Sequence, residues 1–430
     1  MRVLVLGGYG LIGSSILRAL LADGHDVVGL GRSKRRGAAF LPEADWVQAD
    51  IATLQTAEHW RPLLQGVEGI VNASGVLQDG LGDTVVATQE TAILALIEAC
   101  REAGVRTFIQ ISVPGASPAS PTSFYRSKAL ADAALARSGL SWTILRPGLV
   151  LAPQAYGGSA LLRMLAAVPV LQPVALGTAQ IRTVAVNDVA RAVALSIEGA
   201  HAGGDFDLVE TSSQPLERLL LRLRAWFGFP PPRAILRLPL PAVWPIAWLA
   251  DLAGHLGWRS ALRTNALKAL AGGITGTSGP WTSASGLPLK SLEETLAAMP
   301  ATRQERIFAR AALVFPILVL TQAGFWTASG IIGVLRMETA AGLLSGALGP
   351  ESASGLVLAG SLTDCAIGLS TLVRPLLRPA CLAAILVACA YLIGASLFMP
   401  ALWLDPLGSL VKVFPALALA LAVLALAEER

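Results

Sequence analysis

Gly7, Gly10 and Gly13 stand at GxxGxxG spacing in Gly7-Gly-Tyr-Gly10-Leu-Ile-Gly13, directly after the apolar run Val3–Leu6. Glycine at such positions permits a tight turn, close approach of backbone to a diphosphate, and close packing of helix on strand. The residues that follow open a helix, so the backbone of Leu11 and Ile12 sits at its positive end, where a pyrophosphate binds. A glycine motif alone is weak, but at the first strand-to-helix turn it has the context a dinucleotide site requires. The competing reading is a glycine-rich turn with an empty or degenerate pocket. The second strand, Val27–Leu30, leads into Gly31-Arg32-Ser33. An acid at this point would bind a ribose 2′-hydroxyl, whereas the guanidinium of Arg32 suits a 2′-phosphate. NADP is therefore the expected dinucleotide, with NAD the alternative; a solvated basic loop would look the same in sequence.

These residues need a scaffold. Val3–Leu6, Val27–Leu30, Trp46–Val47, Ile70–Val71, Thr107–Ile111 and Trp142–Leu145 read as strands, and Leu11–Ala22, Val86–Ala103 and Ser123–Ala136 as helices. Such alternation predicts an α/β fold, a doubly wound parallel-sheet Rossmann domain. Strands that are apolar almost throughout fit burial on both faces. Further on, Thr183–Val186 reads as a strand, Asp188–Glu198 as a helix, Phe206–Val209 as a strand and Pro215–Phe227 as a helix. Met1–Gly7 is too short an apolar run for a signal peptide. Pro239–Trp258 sets Trp244, Trp248 and Trp258 among prolines and leucines. That stretch can pack as an ordinary lid, or lie at a membrane interface, where tryptophan is favoured.

The chain has 430 residues, too many for one core, with 54% hydrophobic and only 14% charged; soluble chains carry about a quarter charged residues. Charges become sparse after Arg310. Ala311–Leu335, Ser354–Val373, Ala380–Met399 and the shorter Val413–Ala427 read as an all-α four-helix transmembrane bundle, since about 20 apolar residues cross a bilayer. The expected domains are 1–210 for the nucleotide, 211–305 as a helical substrate or lid region, and 306–430 in the membrane. Arg303, Arg306 and Arg310, then Arg374 and Arg378, then Arg430 fall on one side if there are four spans. That bias places the N-terminal domain and the C-terminus in the cytoplasm. Asp364, a lone carboxylate in a span, is a candidate for proton relay or head-group contact, or for a hydrogen bond between helices. The net charge is +4 without a basic stripe, so nucleic acid is not an expected partner. The four cysteines form no CxxC pair and the four histidines are scattered; no metal site is expected.

Gly7, Gly10 and Gly13, with Ala49-Asp50-Ile51, Asn72-Ala-Ser-Gly75, Ser112 and Leu145-Arg-Pro-Gly148 in order, resemble the atypical and extended short-chain dehydrogenase/reductases. The likeness covers the first 210 residues or so and extends to the branch that includes the nucleotide-binding accessory subunit of mitochondrial complex I. It implies that Asp50 and Ile51 flank the adenine, that Ala73, Ser74 and Gly75 line the cofactor, and that Pro147 lies near the nicotinamide. Phe325-Trp-Thr-Ala-Ser-Gly330, Asp364 with Gly368, Tyr391, and Pro400 to Gly408 followed by Lys412 resemble the DoxX-like membrane family over about residues 305–430. Such dehydrogenases pair a Tyr with a Lys four residues later, plus a Ser that orients the substrate. Here Ser112 and Lys128 are present, but Phe124 stands four before Lys128, and Tyr125 stands three before it. That rotates Tyr125 by about 100° around a helix. Ser112, Tyr125 and Lys128 are the candidate catalytic residues, with Lys128 also a candidate for the nicotinamide ribose. Two functions follow from the resemblance: an oxidoreductase acting on a lipophilic substrate (a quinone or lipid ketone), or a non-catalytic nucleotide-binding subunit of a membrane complex. A nucleotide-sugar epimerase is the weaker third.

Overall fold

A computed structural model describes residues 1–427. The chain divides into two compact units, Met1–Gly254 with Arg259–Arg306, and His255–Trp258 with Ile307 onwards. Arg430, counted above among the basic flanks, lies outside the described residues.

The first unit is built on seven strands: β1 (Arg2–Leu6), β2 (Asp26–Gly31), β3 (Asp45–Gln48), β4 (Gly69–Asn72), β5 (Thr107–Ile111), β6 (Ser141–Pro147) and β7 (Gly204–Leu208). Every neighbouring pair is parallel, in the order β7-β6-β5-β4-β1-β2-β3. Strand order reverses between β1 and β4, and crevices at such a switch point take ligands beyond the carboxyl ends of the strands. Four helices cover the sheet: α1 (Leu11–Ala22), α2 (Ala92–Ala103), α3 (Ser123–Ala136) and α4 (Val186–Ser196). Val3 and Val5 of β1 join a core with Ile16, Leu17 and Leu20 of α1 and Val189 and Val193 of α4. Leu4 and Leu6 join the opposite core, with Ile93, Leu96 and Ile97 of α2 and Ala131 and Leu135 of α3. Side chains alternate between faces, and with both faces covered Val3 to Leu6 are all apolar and buried, while Arg2 stands at the open end of the strand.

Two local departures from expectation matter. The helix predicted over Val86–Ala103 begins as a π-helical turn, Ala87–Thr91, which carries the buried Gln89. The strand predicted over Thr183–Val186 ends at Ala185, because Val186 opens α4.

The second unit is helical: α5 (Arg303–Leu335), α6 (Met337–Leu348), α7 (Pro350–Thr371), α8 (Leu377–Phe398) and α9 (Val413–Leu426). Among the described residues, three helical stretches, Arg303–Leu335, Pro350–Thr371 and Arg374–Phe398, are long and apolar enough to cross a membrane. Helix α9 has 14 residues; it rises about 21 Å against a hydrocarbon core of about 30 Å. Helix α5 begins eight residues before the expected Ala311, because Thr302 and Glu305 cap it: the Thr302 amide donates to Glu305 Oε2 at 2.8 Å, and the Gln304 amide donates to Thr302 Oγ1 at 3.2 Å.

Small residues let α5 and α7 approach. Gly330 lies against Ser361 and Cys365, and Gly368 lies against Thr327 and Ala323; in lipid, where apolar burial offers little drive, such close contact holds helices together. Asp364 of α7 is buried. Its Oδ2 accepts from Ser329 of α5 at 2.7 Å, and its Oδ1 from Tyr391 of α8 at 2.9 Å. A side chain at Gly330 would drive α5 off α7. Gly330→Leu should therefore destabilise the protein by about 1–3 kcal/mol, read as a lower thermal midpoint of the full chain in detergent; an unchanged midpoint would show that the two helices do not meet there.

Candidate functional site

The turn from β1 into α1 leaves no room for side chains at Gly7 and Gly13. Gly7 holds φ +70°, and the Gly10 amide donates to its carbonyl at 2.8 Å. A Cβ on Gly13 would collide with that same carbonyl, and one on Gly7 would press on Ala73 and Ser74 at the end of β4. The first amides of a helix have no intrahelical acceptor, and Gly10, the N-cap of α1, brings no side chain to cap them. The amides of Leu11 and Ile12 thus face outward at the positive helix end. A cradle of this kind, which a side chain would fill, fits a diphosphate.

Arg32, just beyond β2, is already engaged. Its Nη1 donates to Asp83 Oδ1 at 2.9 Å and to the Gly82 carbonyl at 3.3 Å. The other Asp83 oxygen accepts from Arg259 at 2.6 Å. One carboxylate therefore holds two guanidiniums at the edge of the crevice. Asp50 caps the turn Ile51–Thr53, accepting from the Ala52 amide at 3.1 Å, and Ile51 is buried beneath it.

Ser74 folds back on its own strand end, donating to Asn72 Oδ1 at 2.5 Å, while Asn72 Nδ2 donates to Gln110 at 2.9 Å. Gly75 lies beside Gln89, whose Nε2 donates to Ser127 of α3 at 3.3 Å. Lys128 is buried, and its ammonium donates to the Ser74 carbonyl at 3.1 Å and the Ile111 carbonyl at 2.8 Å. An ammonium has three donors, so one remains. Burial pushes the Lys128 pKa down to about 8, with Asp132 opposing.

The Ser112 hydroxyl does not point into open space. It donates to Asp132 Oδ2 at 2.5 Å, the same oxygen accepts from Arg146 at 3.2 Å, and Arg146 reaches Asp205 at 2.9 Å. Burial raises the Asp132 carboxyl above its usual range, partly offset by Ser112, Arg146 and Lys128. Tyr125 lies half-buried in the first turn of α3, edge-on to Phe124 at 5.4 Å. Burial raises its phenol, and among the described residues no cation offsets that rise. Pro147 is buried at the end of β6.

The structure thus brings Gly7, Ala73, Ser74 and Lys128 together at the carboxyl ends of the central strands. It gives Tyr125 no hydrogen bond to Ser112 or Lys128 among the described residues. The sequence reading missed Asp132, Arg146, Gln89, Asp83 and Arg259. Asp132 had a signal, since it stands four residues after Lys128 on one helix face. Arg259 had none, since 176 residues separate it from Asp83.

Residues 7–197 match the NAD(P)H-binding family, and residues 323–421 match the DoxX-like family. The photosystem II assembly factor Ycf39 of Synechocystis sp. is 34% identical over 149 residues, which is 34% of this chain and 44% of that protein. The 3-diazoavenalumate denitrifying reductase of Streptomyces sp. is 29% identical over 268 residues, 55% of this chain and 84% of that protein. The chain spans about half the length of the first curated relatives it matches. Among solved structures, the Bordetella bronchiseptica enzyme WbmH in complex with NAD+ superposes with a TM-score of 0.54 at 19% identity, covering 69% of this chain and 96% of that one. The chain joins an N-terminal NAD(P)H-binding domain with a parallel-sheet Rossmann fold to a C-terminal DoxX-like domain.

Proposed function

We propose that the protein is a membrane-anchored, NADPH-dependent reductase of a lipophilic acceptor, and that the acceptor is a quinone rather than a lipid ketone. The observation that carries this is a side-chain-free diphosphate cradle on the same chain as three apolar helices of membrane-crossing length. When bound, NADPH supplies a hydride. Gly7, Gly10 and Gly13, with the amides of Leu11 and Ile12, hold the pyrophosphate. Asp50 and Ile51 flank the adenine, Arg32 meets the 2′-phosphate, and Ala73, Ser74, Gly75 and Pro147 line the nicotinamide half. The third N–H of Lys128 donates to the ribose. Residues 1–210 bind the nucleotide, 211–305 face the acceptor, and 306–430 anchor the chain in the membrane with the nucleotide domain on the basic, cytoplasmic side.

The choice of acceptor follows from the proton. Reducing a ketone demands an acid at the forming alkoxide, but Phe124 occupies the usual position and Ser112 is spent on Asp132. Hydride addition to a quinone yields an aromatic hydroquinone anion, stable enough to form without a positioned acid and to take its proton from solvent afterwards. The reductase name of the Streptomyces relative supports hydride chemistry on this scaffold. A second reading, a non-catalytic subunit that assembles a membrane complex, is favoured by the same unassembled proton relay and by the assembly-factor name of the Synechocystis relative.

Purified full-length protein in detergent should oxidise NADPH when quinones are added and remain inert to lipid ketones; tight NADPH binding without turnover on any acceptor would leave the assembly reading standing alone. Lys128→Met, which keeps the buried volume, should weaken NADPH binding about ten- to a hundredfold, the worth of one charge-assisted hydrogen bond. Because the Lys128 ammonium titrates at about 8, wild-type affinity should fall as pH rises through that value, and titration of the Met variant should be flat there. Arg32→Asp should move preference from NADPH towards NADH by at least about tenfold; equal affinities before and after would remove the role given to Arg32.

A further inference from the structure

The helix Leu240–His255 belongs to neither face of the parallel sheet. Its inner side is small: Val243 and Ala247 pack with Leu267, and Asp251 is paired to Arg263 at 3.0 Å. Its outer side carries Ile246 at 48%, Trp248 at 63%, Leu249 at 67% and Leu252 at 60% exposure. From Pro239 to Ala250 there is no charged residue. Positions 242, 245, 246, 249 and 252, with 241 and 248 beside them, form one exposed stripe at helical spacing.

The chain just beyond this helix identifies what covers the stripe. Trp258 belongs to the membrane unit. Its indole N–H donates to the Leu372 carbonyl, one residue past the end of α7, at 2.6 Å. The Arg374 guanidinium lies over the Trp258 ring at 5.3 Å, and the Arg374 amide donates to the Leu256 carbonyl at 2.9 Å. A tryptophan and an arginine at the end of an apolar helix are the residues that mark a water–lipid boundary. Leu252 stands six residues before Trp258, so chain connectivity alone keeps it within about 20 Å of that boundary.

We propose that the helix Leu240–His255 lies in the bilayer surface, with Ile246, Trp248, Leu249 and Leu252 immersed at the junction of head groups and acyl chains. A lipid surface suits the stripe because, without a charge, the stripe offers a protein partner nothing to set register or orientation. The helix also connects by hydrogen bonds to the nucleotide crevice. Arg263, held by Asp251, donates to the Asp79 carbonyl at 2.7 Å, and Arg259 binds the same Asp83 that holds Arg32. Lipid contact would thus steady the loop Asp79–Asp83 beside the candidate 2′-phosphate site. The proposal does not depend on the catalytic reading, because its test reads position rather than turnover.

The test uses the full chain in phosphatidylcholine nanodiscs, with Cys365→Ala and Cys389→Ala as background and a nitroxide at Leu249→Cys or, for comparison, at the exposed Lys268→Cys. Oxygen should collide with the label at 249 several-fold more, relative to a water-soluble nickel chelate, than with the label at 268. Equal ratios at the two sites would place the stripe in water and overturn the proposal. Shielding from both reagents would place it against protein, with nitroxide–nitroxide broadening in two-copy discs identifying a second chain as the occupant, and would overturn it as well.

Discussion

The first unit depends on the absence of matter at one point, the place where the Gly7 carbonyl and the Gly13 Cα pass each other. Only a chain without Cβ atoms can turn there, and the turn aims the first amides of α1 past the ends of β1 and β4. Lys128 completes the arrangement from the other side. Its ammonium ties α3 to the carbonyls that follow β4 and end β5, at the cost of burying a charge. The Asp132 charge compensates only part of that desolvation, which is why its pKa falls to about 8. The remaining N–H is pre-aimed because the other two fix the ammonium.

The rest of the polar machinery beside α3 fastens rather than waits. Ser112, Asp132, Arg146 and Asp205 form one chain of hydrogen bonds from β5 through α3 and β6 to β7. A serine hydroxyl committed at 2.5 Å to a buried carboxylate has to break a strong bond before it can orient a substrate oxygen. A phenol raised by burial, with no cation among the described residues to offset the rise, is a poor acid-base catalyst near neutral pH. Both facts push the proposed chemistry towards acceptors whose reduction leaves a stabilised anion.

Much of this was legible in the sequence, for reasons specific to each element. Helices α1 and α3 run over the residues expected for them, because each starts at a turn and continues in good helix formers. The parallel sheet with helices on both faces followed from alternation of strand and helix. What was not legible involved partners distant along the chain. Arg32 read as a free cation because nothing nearby is acidic; Asp83 reaches it by way of a 50-residue excursion through β3 and β4. The π-helical turn that turns Gln89 inward has no local signature that separates it from an ordinary helix start. The exposed stripe on Leu240–His255 left two readings open in sequence, since the same composition serves a buried lid and a surface-lying helix, and only the exposure of Trp248 and Leu249 separates them.

In the membrane unit the same principle works with fewer options. Hydroxyls within apolar helices have no water to turn to, so a carboxylate that accepts from two of them joins three helices at one residue. Asp364 does this for α5, α7 and α8, while the buried Gln322 of α5 donates to Thr371 at 3.5 Å and Cys381 at 3.3 Å further along the same interface. Glycines bring the backbones close, and the polar contacts then set which turns face each other. A carboxylate used in this way needs no transported proton or bound head group to account for its place in a span. The contacts seen at Asp364 are those of a joint between helices, and they leave the proposed hydride chemistry to the nucleotide-binding unit.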